Sequence, residues 1–135
     1  WSGTRFRVAG ADLSLDDVEH GVLRPVWGDP RVHYAVNCAS IGCPDLRAEP
    51  WLGGPPGPAL DAAARAYANH PRGARIEGGE LVVSKIYDWF EADFGGSEAG
   101  VISHLAGFAE PALAAGLAGR SRIDRTEYDW SVNAA

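Results

Sequence analysis

Cys38 and Cys43 are the two cysteines of this 135-residue chain, and both fall in one stretch, Val32-His33-Tyr34-Ala35-Val36-Asn37-Cys38-Ala39-Ser40-Ile41-Gly42-Cys43-Pro44. A thiol there can attack as a nucleophile, pair in a disulfide, ligate a metal, or pack. Packing is the commonest use of a small buried cysteine. The small side chains of Ala39-Ser40-Ile41-Gly42 argue for more, because a loop at the end of a buried element leaves room for a substrate. Nucleophilic catalysis then requires a base in reach and a group that orients it. A Cys38–Cys43 bridge would close only a short loop, with a modest chain-entropy gain. A zinc site built on His33, Cys38 and Cys43 fits no established ligand spacing, so neither metal nor cofactor is expected.

Four histidines are available as bases. His33 is nearest in sequence. If residues 33 to 38 are one extended strand, the separation is roughly 16 Å and the odd offset puts the two side chains on opposite faces. His20 lies in Val18-Glu19-His20-Gly21-Val22-Leu23-Arg24, a helical segment that runs directly into the stretch carrying Cys38. Consecutive elements are usually spatial neighbours, so His20 or Glu19 can be aimed at the thiol. Adjacent helical residues point about 100° apart, so Glu19 and His20 do not face inward equally. Arg24 follows His20 by one helical turn, and the bland alternative is a polar helix face with a charge cluster. His70 reads as a helix end before Pro71, and His104 as a core-edge residue. Tyr128-Asp129-Trp130 reads as strand-end packing.

The elements that must position these groups follow from pattern. Arg5-Phe6-Arg7-Val8 alternates as a half-buried strand does, and Ala9 to Asp12 reads as a turn. Ser14 caps a helix with Asp17 reaching back to it, and Pro25 stops that helix near Arg24. Gly28-Asp29-Pro30 is a turn, and Val32 to Val36 is an apolar run of strand length, expected central in a small sheet. Gly53-Gly54-Pro55-Pro56-Gly57-Pro58 is a loop, followed by an Ala-rich helix from Leu60 to His70. Gly78-Gly79 between Arg75-Ile76-Glu77 and Glu80-Leu81-Val82-Val83 is a hairpin signal. Ser84 and Ser97 cap two further helices, the first carrying Ile86, Trp89, Phe90 and Phe94. A short helix spans Ala112 to Leu117, and Ile123 to Trp130 reads as a last strand. The mixture gives an α+β domain, a small mainly antiparallel sheet with packed helices, over residues 1–135.

Composition bounds the function. The chain carries 12 basic and 18 acidic side chains, a formal charge of −6 with no basic run, which argues against nucleic-acid binding. No window approaches the roughly 18 apolar residues of a membrane span. The chain starts at Trp1 without a signal-type segment, so its compartment is not legible, and the cysteine count does not fix it.

Ser14 to Arg24 and Asp29 to Arg47 resemble the family catalogued as domain of unknown function 547. Tyr87-Asp88-Trp89-Phe90 with Asp93-Phe94-Gly95, and Tyr128-Asp129-Trp130-Ser131-Val132-Asn133, fit the same pattern. The family domain extends further upstream, so the resemblance implies that this chain is the C-terminal portion of a longer domain. It also implies a distant relation to papain-like cysteine peptidases and a Glu–Cys–His triad. Carried onto this sequence, the cysteine is Cys38 and the helix pair is Glu19 and His20. Cys43 is replaceable by serine in relatives, which favours Cys38 as the working thiol, free of a disulfide in the active form. The expectation is a thiol hydrolase acting on a peptide or amide bond of a peptide or protein substrate. Cys38, His20 and Glu19 carry the reaction, with His33, Ser40, Arg24, Asn37 and Cys43 around them. Backbone amides of Ala39 and Ser40 receive the oxyanion. The rival is a non-catalytic protein-interaction domain.

Overall fold

In the computed structural model, which describes residues 2–51 and 57–133, the alternating segment forms β1 (Arg5–Val8). Only Ala9 and Gly10, both with positive φ, make the turn. Ala11 already belongs to β2 (Ala11–Ser14), paired antiparallel to β1, because two residues of left-handed backbone suffice for a tight hairpin. Ser14 then caps α1 (Leu15–Val18) in a complete capping box with Asp17.

Pro25 does not stop the helix. α1 runs on through a π-helical turn (Glu19–Leu23) into α2 (Arg24–Trp27), which ends at the left-handed Gly28. The Arg24 N–H bonds to the Glu19 carbonyl, one residue further back than in an α-helix. Proline has no N–H to donate, and the shifted register lets the chain pass it at the first turn of α2, where proline is tolerated.

The strand expected over Val32–Val36 is absent. Pro30–Tyr34 is a 3₁₀ helix, followed by a loop. Asp29 caps it, its carboxylate accepting the Arg31 N–H at 2.9 Å, and Pro30 presets the helical φ. These start signals outweigh a short apolar run, which periodicity alone does not assign to strand or helix. Arg31 ties the turn to the next helix through Asp61 at 2.6 Å.

Of the expected 53–58 loop, residues 53–56 lie outside the described residues, and Gly57 and Pro58 open α3 (Gly57–Ala68). The hairpin forms as expected: β3 (Ala74–Glu77) and β4 (Glu80–Ser84) are antiparallel across Gly78 and Gly79, both with positive φ. Ser84 caps α4 (Lys85–Trp89), shorter than expected, so Phe90 and Phe94 come from the turns after it. Ser97 caps α5 (Glu98–Phe108), and α6 (Pro111–Leu117) follows. The last strand shrinks to β5 (Arg125–Glu127), parallel to β4, giving the order β3-β4-β5. This is an α+β fold with two small, mostly antiparallel sheets.

The core gathers Tyr34, Tyr67, Leu81, Val83, Tyr87, Phe94, Val101 and Leu105. Tyr34 enters it from the 3₁₀ helix, which anchors the preceding residue, His33, against the core's edge. The segment after β5 returns to the cysteine loop: Ser40 bridges Val132, and the N–H groups of Ile41 and Gly42 bond to the carbonyls of Ser131 and Asp129, each at 2.8 Å.

Candidate active site

An open cavity of about 270 Å³ lies where four parts of the chain converge. The α1–π segment contributes Asp16, Glu19 and His20. The 3₁₀ helix and its loop contribute His33, Asn37, Cys38 and Cys43. Trp89 and Phe90 come from α4 and the turn after it, and Tyr128 and Trp130 from the C-terminal segment. Cys38, His20, Glu19 and His33, singled out in the sequence, therefore open onto one space.

The expected free thiol is not found: Cys38 and Cys43 are joined as a disulfide, with Cα atoms 6.4 Å apart. The reason is local. Ala39 adopts positive φ and the Cys43 N–H reaches back to the Ser40 carbonyl at 3.1 Å, so the loop turns tightly. That places the two Cα atoms in the range a disulfide spans. Cys38 is followed by this turn, not by a helix. Asn37 straps the loop, its side chain donating to the Pro44 carbonyl at 2.7 Å and accepting the Ala39 N–H at 2.7 Å. Of the two amides expected to receive an oxyanion, that of Ala39 is thus engaged. Ser40 is buried, its hydroxyl 3.1 Å from Cys38 Sγ.

His33 is fully buried, and its Nε2 lies 2.7 Å from Asp93 Oδ2. The same carboxylate takes Arg24 in a two-pronged pair, Nε to Oδ2 at 2.6 Å and a terminal nitrogen to Oδ1 at 3.0 Å. Arg24, and then His33, hold the Asp93 carboxyl below its usual range. Burial pushes the His33 imidazole down, against the opposing pull of Asp93. A neutral ring facing a carboxylate keeps its proton on Nε2, which leaves a lone pair on Nδ1. Among the described residues, His33 Nδ1 is the one buried side-chain nitrogen or oxygen with no hydrogen-bond partner. Phe90 stacks on the ring at 4.2 Å between centroids and fixes its plane.

His20 is exposed, its Nδ1 accepting from Arg24 at 3.1 Å. Glu19 is buried, and desolvation pushes its carboxyl up, opposed by the charges of His20 and Arg24. The geometric objection to His33 lapses with the strand on which it rested. Asp93 was missed altogether: it sits 60 residues from its partner, and only the Asp93-Phe94-Gly95 motif pointed towards it. Among the described residues, no group of three or more His, Cys, Asp or Glu side chains stands together as a metal site, and no helix is long and apolar enough to cross a membrane.

A family model described as "Protein of unknown function, DUF547" matches residues 1–67. The match takes in the π-helical turn, His33 and both cysteines, and ends before the two aromatic motifs around Trp89 and Trp130. No curated protein and no solved structure matches the chain.

Proposed function

We propose a function from the cavity itself, a thiol-dependent hydrolase of peptide or amide bonds, because the DUF547 description that matches residues 1–67 assigns no activity. The observation that carries this reading is the unpartnered Nδ1 of His33, held by Asp93 through Nε2, on the cavity that Cys38 also lines. His33 and Asp93 supply the base and the group that orients it, two of the three parts that nucleophile activation needs, and Cys38 on the same cavity is the third. The peptide or amide bond is the substrate class implied by the resemblance to papain-like enzymes.

The reactive form is the reduced one, reached when an external dithiol takes up the disulfide bond. Cys38 then gives its proton to His33 Nδ1, and the sulfur attacks the carbonyl carbon. The tetrahedral adduct collapses to a thioester as His33 returns the proton to the leaving amine. Water, deprotonated by the same nitrogen, releases the acid and restores the thiol. Asp93 holds the ring and supports the imidazolium in between.

The test uses a Cys43→Ser chain, which carries a single thiol, and follows its alkylation by iodoacetamide against pH. The expected profile lies below the ordinary thiol value of about 8.5, rises in His33→Ala and is unmoved in His20→Ala. A profile that only His20→Ala raises transfers the base to His20. An ordinary profile in the parent removes the enzyme reading. The interaction-domain reading would then gain; the disulfide and the exposed Trp89 and Trp130 at the cavity mouth favour it.

A further inference from the structure

We infer that Tyr128 is a catalytic residue of this site, its hydroxyl donating a hydrogen bond to the Cys38 sulfur and stabilising the thiolate. The inference rests on the hydrolase reading above. The Tyr128 hydroxyl lies 3.1 Å from Cys38 Sγ, 3.1 Å from Cys43 Sγ and 2.7 Å from Ser40 Oγ. Disulfide sulfurs carry no proton, so in each O–H to sulfur contact the hydroxyl is the donor. Two hydroxyl protons serve this cluster, one from Ser40 and one from Tyr128. With Ser40 donating to the phenol oxygen, the phenol proton is free to point at sulfur.

The fold builds this contact on purpose-shaped backbone. Tyr128 follows β5 directly, and the chain beyond it is bonded to the cysteine loop at Gly42, Ile41 and Ala39. Gly42 leaves the space for the ring: a Cβ there would stand 2.8 Å from Tyr128 Cε2, closer than side chains approach. Trp89 and Trp130 pack against the ring at 4.9 and 4.7 Å between centroids and against each other at 5.4 Å. The phenol is thus fixed by a cluster of three aromatic rings and by the close approach of Gly42, with its oxygen left at the sulfur. When the disulfide is reduced, the same oxygen faces the Cys38 thiolate that His33 generates. A hydroxyl donor to a charged sulfur favours the charged form and lowers its pKa.

The experiment compares Cys43→Ser with Cys43→Ser carrying Tyr128→Phe, reading the iodoacetamide profile and, separately, thermal unfolding. A hydrogen bond to a charged group corresponds to a rise of about one pH unit in the Tyr128→Phe profile, about a tenfold smaller thiolate fraction at neutral pH. Gly42→Ala, which keeps the hydroxyl but displaces the ring, is expected to raise it in the same direction, and it carries the test if Tyr128→Phe does not fold. A folded Tyr128→Phe chain whose profile matches its parent overturns the role of Tyr128, while His33→Ala still reports on the base. A profile raised by Tyr128→Phe but not by His33→Ala upholds Tyr128 and overturns His33. An ordinary profile in the Cys43→Ser parent overturns both.

Discussion

At the scale of single residues, Asp93 holds the site's electrostatics together. One carboxylate satisfies the buried Nε2 of His33 and two nitrogens of Arg24, and each partner is largely shielded from water. Arg24 in turn lies over the Phe90 ring at 4.8 Å and donates to His20, so a single side chain aligns both candidate bases. Asp93→Ala leaves a buried imidazole nitrogen and a partly buried guanidinium unpaired. The expected loss is about 1–3 kcal/mol of folding stability, read from the urea midpoint at neutral pH. Asp93→Asn keeps an acceptor for His33 Nε2 and is expected to lose less. Equal losses in the two variants would mean that the charge, not the hydrogen bond to His33, carries the contribution. The sequence alone could not reveal this residue, because nothing local ties Asp93 to His33; the pairing exists only once the turns after α4 fold onto the 3₁₀ helix.

At the scale of elements, what was legible had a start or stop signal within a few residues. The Ser14 capping box, the Ser84 and Ser97 caps and the Gly78-Gly79 hairpin all form where the sequence places them. The failures share a cause. The apolar run Val32–Val36 suggests a strand, but the Asp29-Pro30 start signal outweighs it, and Pro25 suggests a stop, but a π-helical register accommodates it. Both errors bear on the site, since they set the distance from His33 to Cys38 and the way Glu19 and His20 meet the cavity. The Cys38–Cys43 loop is the element on which stability and chemistry oppose one another. Closing so short a loop stabilises the fold by about 2 kcal/mol in the chain-entropy account. Reduction with a dithiol is therefore expected to lower the unfolding free energy by that amount, read from the shift of the urea midpoint, and, in the same sample, to make Cys38 reactive towards iodoacetamide. Unfolding traces that coincide with and without reductant would show that the backbone hydrogen bonds to residues 129–133 hold the loop without the bridge.

At the scale of the whole molecule, one buried and one partly buried histidine make stability depend on pH. His104 in α5 packs against Tyr34, Phe94 and Phe108, with its Nε2 2.8 Å from the Tyr34 hydroxyl. Burial pushes its pKa from 6.5 down to about 4. The unfolded chain therefore takes up a proton on His104 near pH 6.5, and the folded chain takes it up only near pH 4. Between those values the unfolded state binds more protons, so stability falls as the solution is acidified. Over the full window the loss attributable to His104 is at most about 3.5 kcal/mol at roughly 1.4 kcal/mol per unit, and less once solvent screening of this partly exposed group is counted. His33, also shifted down, adds to the loss in the same direction. Asp29 and Asp93, both held low by arginines, contribute stability that is lost at still lower pH. Buried Glu19, its carboxyl pushed up, works the other way, since the folded chain takes up that proton first, and so does the formal charge of −6, since acid relieves surface repulsion; two histidines are set against the one glutamate. Exposed charges are screened at ordinary salt, so the buried groups dominate. The expected result is a urea midpoint that drops steadily from pH 6.5 to 4, with a shallower slope in His104→Phe, where Tyr34 retains Tyr87 as a partner at 3.2 Å. An equally steep slope in that variant would assign the acid sensitivity to His33 and with it to the cavity His33 shares with Cys38, a result that alkylation of the Cys43→Ser chain across the same pH range would then corroborate.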